Sequence, residues 1–160
     1  MKKLILIFLF FPFFAKAQFK IVNSATINLL ELRAGVWPIT LQRITKESDT
    51  CYVLLFRDQQ YTIDVNMSTL RFPNLDQLRY FQKALTALKN GFTGDVAKFS
   101  DYSVKRVDVK KEGIWYILTC SDGELTNFQQ PEADKIISTI NNITPYGIAS
   151  GSVSSTSGIK

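Results

Sequence analysis

The sequence predicts an α+β domain: antiparallel β-sheet with two helices packed against it. Three observations carry this. Stretches with period-two alternation of apolar and polar residues read as half-buried strands, two segments have helical spacing, and the strand-rich stretches lie both before and after the first helix. The order looks duplicated, as a strand-strand-strand-helix unit used twice.

Taken along the chain, Thr26 to Arg33 and Ile39 to Ile44 read as the first two strands. Tyr52, Leu54 and Phe56 alternate with Val53, Leu55 and Arg57, and Ile63, Val65 and Met67 alternate with Asp64, Asn66 and Ser68. Asp58, Gln59 and Gln60 would form the hairpin connection between them. Asn74 can cap a helix, with Gln77 three residues on. Leu75, Leu78, Phe81, Leu85 and Leu88 then recur on one face, and Asn90-Gly91 stops the run, so residues Leu75 to Lys89 are expected to be helical. Val104 to Lys111 reads as a strand with valines inward and a solvated basic face of Lys105, Arg106, Lys110 and Lys111. Ile114 to Cys120 is a further strand, turned by Asp122-Gly123. A shorter helix follows Pro131, with Ala133, Ile136, Ile137 and Ile140 on one side.

Domain organisation follows from the ends. Lys2 and Lys3 precede an apolar run from Leu4 to Phe14, and Ala15-Lys16-Ala17 has the small-residue pattern of a cleavage site. Residues 1–17 are therefore expected to be a cleaved secretory signal peptide. The run is too short for a membrane anchor, which needs about 20 apolar residues. It resembles bacterial export leaders, and no cysteine follows the expected cut closely enough for lipidation. Residues 18–145 form one domain, large enough for a real core. Residues 146–160, rich in Gly and Ser, read as a flexible tail.

The formal charge of +5 falls to +2 once Lys2, Lys3 and Lys16 leave with the leader. That is too small for a nucleic-acid footprint, and no nucleic-acid partner is expected. The order of strands and helix resembles the Whirly-type nucleic-acid-binding architecture in topology, without a residue motif of that family, and export argues against that function.

Chemistry is bounded by absences in the sequence. There is no histidine, which removes His-based metal sites and every Ser-His or Cys-His arrangement. No phosphate loop, nucleophile elbow or calcium loop occurs. No catalytic, cofactor-binding or metal residues are assigned, and no cofactor is expected. The carboxylates Asp95, Asp101, Asp108, Glu112, Asp122, Glu124, Glu132 and Asp134 could furnish a hydrolytic pair, but their spacing selects none.

Cys51 and Cys120 are the only thiols, and export raises the question of a disulfide between them. The duplication argues against it. Tyr52-Val53-Leu54-Leu55 with Asp58 aligns with Tyr116-Ile117-Leu118-Thr119 with Asp122, which puts Cys51 and Cys120 on opposite strand faces. Val53, Leu55, Trp115 and Ile117 form a second, apolar face, to be covered either by Leu29, Leu32 and Trp37 or the second helix, or by a protein partner or homodimer. The expected role is an exported bacterial envelope protein, periplasmic or secreted, that works as a non-catalytic binding module. An envelope hydrolase with paired carboxylates and a structural or oligomerising component are the alternatives. The membrane enters only transiently, during export.

Overall fold

The computed structural model describes residues 24–33, 38–60 and 66–144, with the backbone of 147–148. The expected leader, Trp37, Ile63, Val65 and most of the expected tail lie outside the described residues. Two meanders of four antiparallel strands are each followed by a helix. The first comprises β1 (Ser24–Leu32), β2 (Ile39–Lys46), β3 (Asp49–Arg57) and β4 (Met67–Phe72), then α1 (Leu75–Lys89). The second comprises β5 (Val96–Lys98), β6 (Tyr102–Val109), β7 (Gly113–Cys120) and β8 (Leu125–Gln129), then α2 (Gln130–Asn141). The repeated unit thus has four strands rather than three. A short ladder pairs β9 (Ile143–Thr144) with β10 (Gly147–Ile148), so the chain is still paired at the second and third residues of the expected tail.

One core joins both halves. Tyr52, Leu54 and Phe56 from β3 and Tyr116, Leu118 and Cys120 from β7 face inward by the strand alternation. They meet Leu78, Phe81, Leu85 and Leu88 of α1 and Ala133, Ile136 and Ile140 of α2. Helix α1 has the bounds the sequence predicts. The Asn74 side chain accepts the Gln77 backbone N–H at 2.9 Å, and the apolar stripe is buried. At the other helix the Glu132 carboxylate accepts the Gln129 N–H at 2.8 Å, closing the first turn of α2.

The fold corrects three expectations. First, Asp58 to Gln60 do not form a tight hairpin. Asp58 is buried and accepts the backbone N–H groups of Gln60 and Leu125, and the Gln59 N–H donates to the Leu125 carbonyl, so this segment ties the end of β3 to β8 in the other sheet. Second, the phase of β4 is the reverse of the one expected. Ser68, Leu70 and Phe72 are buried and Met67 is exposed, because the two largest apolar side chains of the strand set its inward face. Third, Arg106 is not on a solvated face. Its guanidinium donates to the Leu88 and Lys89 carbonyls at 3.0 and 2.8 Å, satisfying the C-terminus of α1, and pairs with Asp108 at 2.8 Å. Val104 does point inward, whereas Val107 and Val109 alternate with the inward Val104 and Arg106 and lie on the outer face with Lys105.

Candidate functional site

Helix α1 begins with a corner, Phe72-Pro73-Asn74, that faces the turn between β5 and β6. Between them lies a cleft of about 460 Å³ lined by Arg71, Phe72, Pro73, Asn74 and Gln77 on one side and Phe99, Ser100, Asp101 and Tyr102 on the other. Its apolar wall is an aromatic group. Phe99 stacks on Tyr102 with ring centres 4.3 Å apart and planes 14° apart, and Tyr102 meets Phe72 and Phe81 edge-on at 6.0 and 5.8 Å. Burial, and then the neighbouring Asp101 charge, push the Tyr102 phenol well above its ordinary range, so it is neutral throughout the physiological range. The rim is polar and mixed in sign: Arg71, Asn74, Gln77, Ser100 and Asp101 are all exposed. A second cleft of about 200 Å³ lies on the other side of the same turn and shares Phe99, Ser100 and Tyr102.

The duplication gives this cleft a counterpart. At the start of α2, Arg33, which follows β1, pairs with Glu132 through both guanidinium contacts. Glu132 is the third residue of α2, as Gln77 is of α1. Gln77 has no charge to clasp an opposing side chain, and the corner stays open. The start of α2 thus carries an ion pair where the start of α1 lines a cleft.

The expected interaction face divides between the sheets. Val53 is buried and Leu55 half-buried on the outer face of β3, and Trp115 and Ile117 are half-buried on the outer face of β7. The structure brings each pair together on its own strand but places them in separate sheets. Leu29 and Leu32 do not cover them, since both pack with the core on the inner side, as do the apolar residues of α2. Cys51 and Cys120 are free thiols on opposite strand faces, half-buried and buried respectively, so the bridge considered from the sequence is not formed.

Five of the eight carboxylates, Asp95, Asp108, Asp122, Glu132 and Asp134, have structural partners. Asp95 accepts the Phe92 N–H at 2.7 Å, Asp122 accepts the Glu124 N–H in the β7–β8 turn, and Asp134 pairs with Lys89 at 2.8 Å. Burial would raise Glu132, but the Arg33 guanidinium and the Gln129 N–H outweigh it and hold the carboxyl below the usual range, the wrong direction for a general acid. Cys120, Asp122 and Glu124 bring one donor atom each within 4.8 Å of one another, the grouping best able to hold a metal among the described residues. A metal there would have to displace a thiol proton held firmly. Burial, followed by the charges of Asp122, Glu124 and Asp58, pushes Cys120 up to about 11.

In the sequence Asn74 and Gln77 read only as helix caps, Asp101 only as one of eight carboxylates, and Phe99, Ser100 and Tyr102 carry no assignment. Two aromatics flanking Ser-Asp in a turn are the signal that could find them. Among the described residues no helix is long and apolar enough to cross a membrane. No protein-family model, curated protein or solved structure matches this chain.

Proposed function

We propose that the chain is an exported module of the bacterial envelope that binds a small polar ligand in the cleft between the start of α1 and the β5–β6 turn. The observation that carries the reading is the cleft left open beside Gln77, whereas Glu132, at the same position of α2, is engaged by Arg33. A rim carrying both Arg71 and Asp101 does not select strongly for one sign of charge. The Phe99–Tyr102 wall gives a ligand an apolar surface, and exposed amides and a hydroxyl give it hydrogen bonds, the usual division of labour in a small-molecule site. Among the described residues Asp101 is the only carboxylate lining the cleft, whereas glycoside hydrolysis of the usual kind takes two across the scissile bond. This favours binding over hydrolysis.

Two measurements test it. Intact mass of the protein recovered from envelope fractions should correspond to a chain beginning at Gln18. Titration with soluble peptidoglycan fragments and oligosaccharides, monitored by amide NMR, should move Phe99 to Tyr102 and Asn74 to Gln77, and Phe99→Ala should abolish the shifts. Turnover of any such fragment that is lost in Asp101→Asn would replace this reading with a hydrolase.

A further inference from the structure

The most exposed large apolar side chain among the described residues is Phe92, at 80 %. It stands in the loop between α1 and β5, and that loop is held rigidly. The Phe92 N–H donates to the Asp95 carboxylate at 2.7 Å, and the Asp95 N–H returns to the Phe92 carbonyl at 3.1 Å. The Gly94 N–H and the Asp95 carbonyl bond the backbone of Arg106, and Thr93 Oγ1 accepts the Asp108 N–H. Gly94 has φ +93°, a conformation glycine adopts without strain, and a Cβ at Gly91 would lie 2.4 Å from Asp95 Oδ2. The loop therefore presents an aromatic ring to solvent from a fixed backbone, which leaves a binding partner no backbone to order.

The surroundings identify the kind of surface it fits. The loop runs beside the end of β6, where Val109 is 37 % exposed and Lys110 and Lys111 begin the next turn, while Val96 and Lys105 are cross-strand partners on the same hairpin, Val96 43 % exposed. Of the acids at this end, Asp108 is paired with Arg106, while Asp95, which accepts the Phe92 N–H, and Glu112 keep their charges, so Lys105, Lys110 and Lys111 outnumber them three to two and leave the tip weakly basic.

We infer that this tip docks on an anionic phospholipid bilayer, with Phe92 entering the interface, Val96 and Val109 lying against it, and Lys105, Lys110 and Lys111 facing lipid phosphates. One ring and a few lysines make a reversible attachment, since stable anchoring needs a larger apolar payload. The inference is independent of the cleft, which the same variants leave intact.

Co-flotation with vesicles tests it, using protein purified from the envelope and variants prepared identically, so that any contribution from the N-terminus is common to all. The wild type should float with phosphatidylethanolamine–phosphatidylglycerol vesicles, not with pure phosphatidylcholine, and should be released by 0.5 M salt, a concentration chosen to shorten the screening length below about 5 Å. Phe92→Ser should weaken partitioning roughly tenfold or more, and Lys110→Glu with Lys111→Glu roughly twentyfold or more. All three positions are exposed, so an unchanged thermal melt will show that the variants are folded. In Phe92→Trp the emission should shift to the blue on anionic vesicles. Failure of the wild type to float, or flotation that survives both variants unchanged, overturns the inference, and so does a blue shift equal on neutral vesicles.

Discussion

Burial alone would raise the carboxyl of Glu132, yet the Arg33 guanidinium and the Gln129 N–H hold it below the usual carboxylate range, and this makes its stabilising effect depend on pH. A carboxyl with a depressed folded value contributes stability above its unfolded value near 4.5, and that contribution is lost as pH falls through the lower folded value. Thermal melts of the wild type and Glu132→Gln should therefore differ at pH 7 and converge at acid pH. A gap that persists at pH 2 would mean the ion pair is not its origin. Cys120 acts at the opposite end of the scale. Its folded value of about 11 lies above an unfolded value near 9.0, because burial and then Asp122, Glu124 and Asp58 disfavour the thiolate. The neutral thiol therefore favours the fold below pH 9, and stability falls as pH rises from there through 11. Tyr52, Tyr102 and Tyr116 are also raised and add a decline of the same sign at higher pH, so the comparison must be with Cys120→Ala, which should show a shallower fall in Tm between pH 8 and 11. Equal slopes would remove Cys120 from the account.

At the scale of elements, α1 is where sequence and structure agree most closely, and the reason is local. Its cap, its stripe and its stop are all encoded within a stretch of seventeen residues, Asn74 to Asn90, so no knowledge of distant partners is needed. Phe81 sits at the centre of that stripe with no exposure, against Phe72 and Tyr102 at 5.4 and 5.8 Å. Phe81→Ala should cost about 3–5 kcal/mol in denaturant unfolding, with the low end expected only if the aromatic group collapses into the space. A cost below 1 kcal/mol would show that the stripe is not core. Strands β3 and β7 are legible for the related reason that period-two alternation reports which face is buried. Features set by partners far along the chain are not. Arg106 looks like one more cation in a basic run, and only the carbonyls of Leu88 and Lys89 turn it inward. In β4 the inward face belongs to Leu70 and Phe72, near the strand's end, whereas Val65 and Met67 suggest the opposite phase. The cleft depends on Phe99 to Tyr102 meeting Arg71 to Gln77, a juxtaposition made by two sheets that the sequence does not reveal to be separate.

For the whole molecule, two sheets with no strand in common could unfold separately, and the contents of the core decide against it. A single apolar cluster contains Leu54 and Phe56 from the first sheet, Leu118 and Phe128 from the second, and the inner faces of both helices, so neither half has a core of its own to retain. The backbone is also tied across: Asp58 at the end of β3 receives the Leu125 N–H of β8 at 3.1 Å, and the Gln60 side chain donates to the Gly123 carbonyl. Leu54→Ala and Leu118→Ala, in different sheets and each nearly without exposure, should therefore each cost about 2–5 kcal/mol. Both should shift one and the same transition, with unchanged coincidence of near-UV and far-UV probes. Asp58→Ala should move that transition by about 1–3 kcal/mol, because it leaves the Gln60 and Leu125 N–H groups without their acceptor in a buried position. If Leu54→Ala instead splits the melt in two, with the second half keeping its original midpoint, the halves are autonomous. The ion-paired corner at Glu132 and the open corner at Gln77 would then belong to two independent units rather than to one fold, and the contrast between them would no longer argue for a ligand.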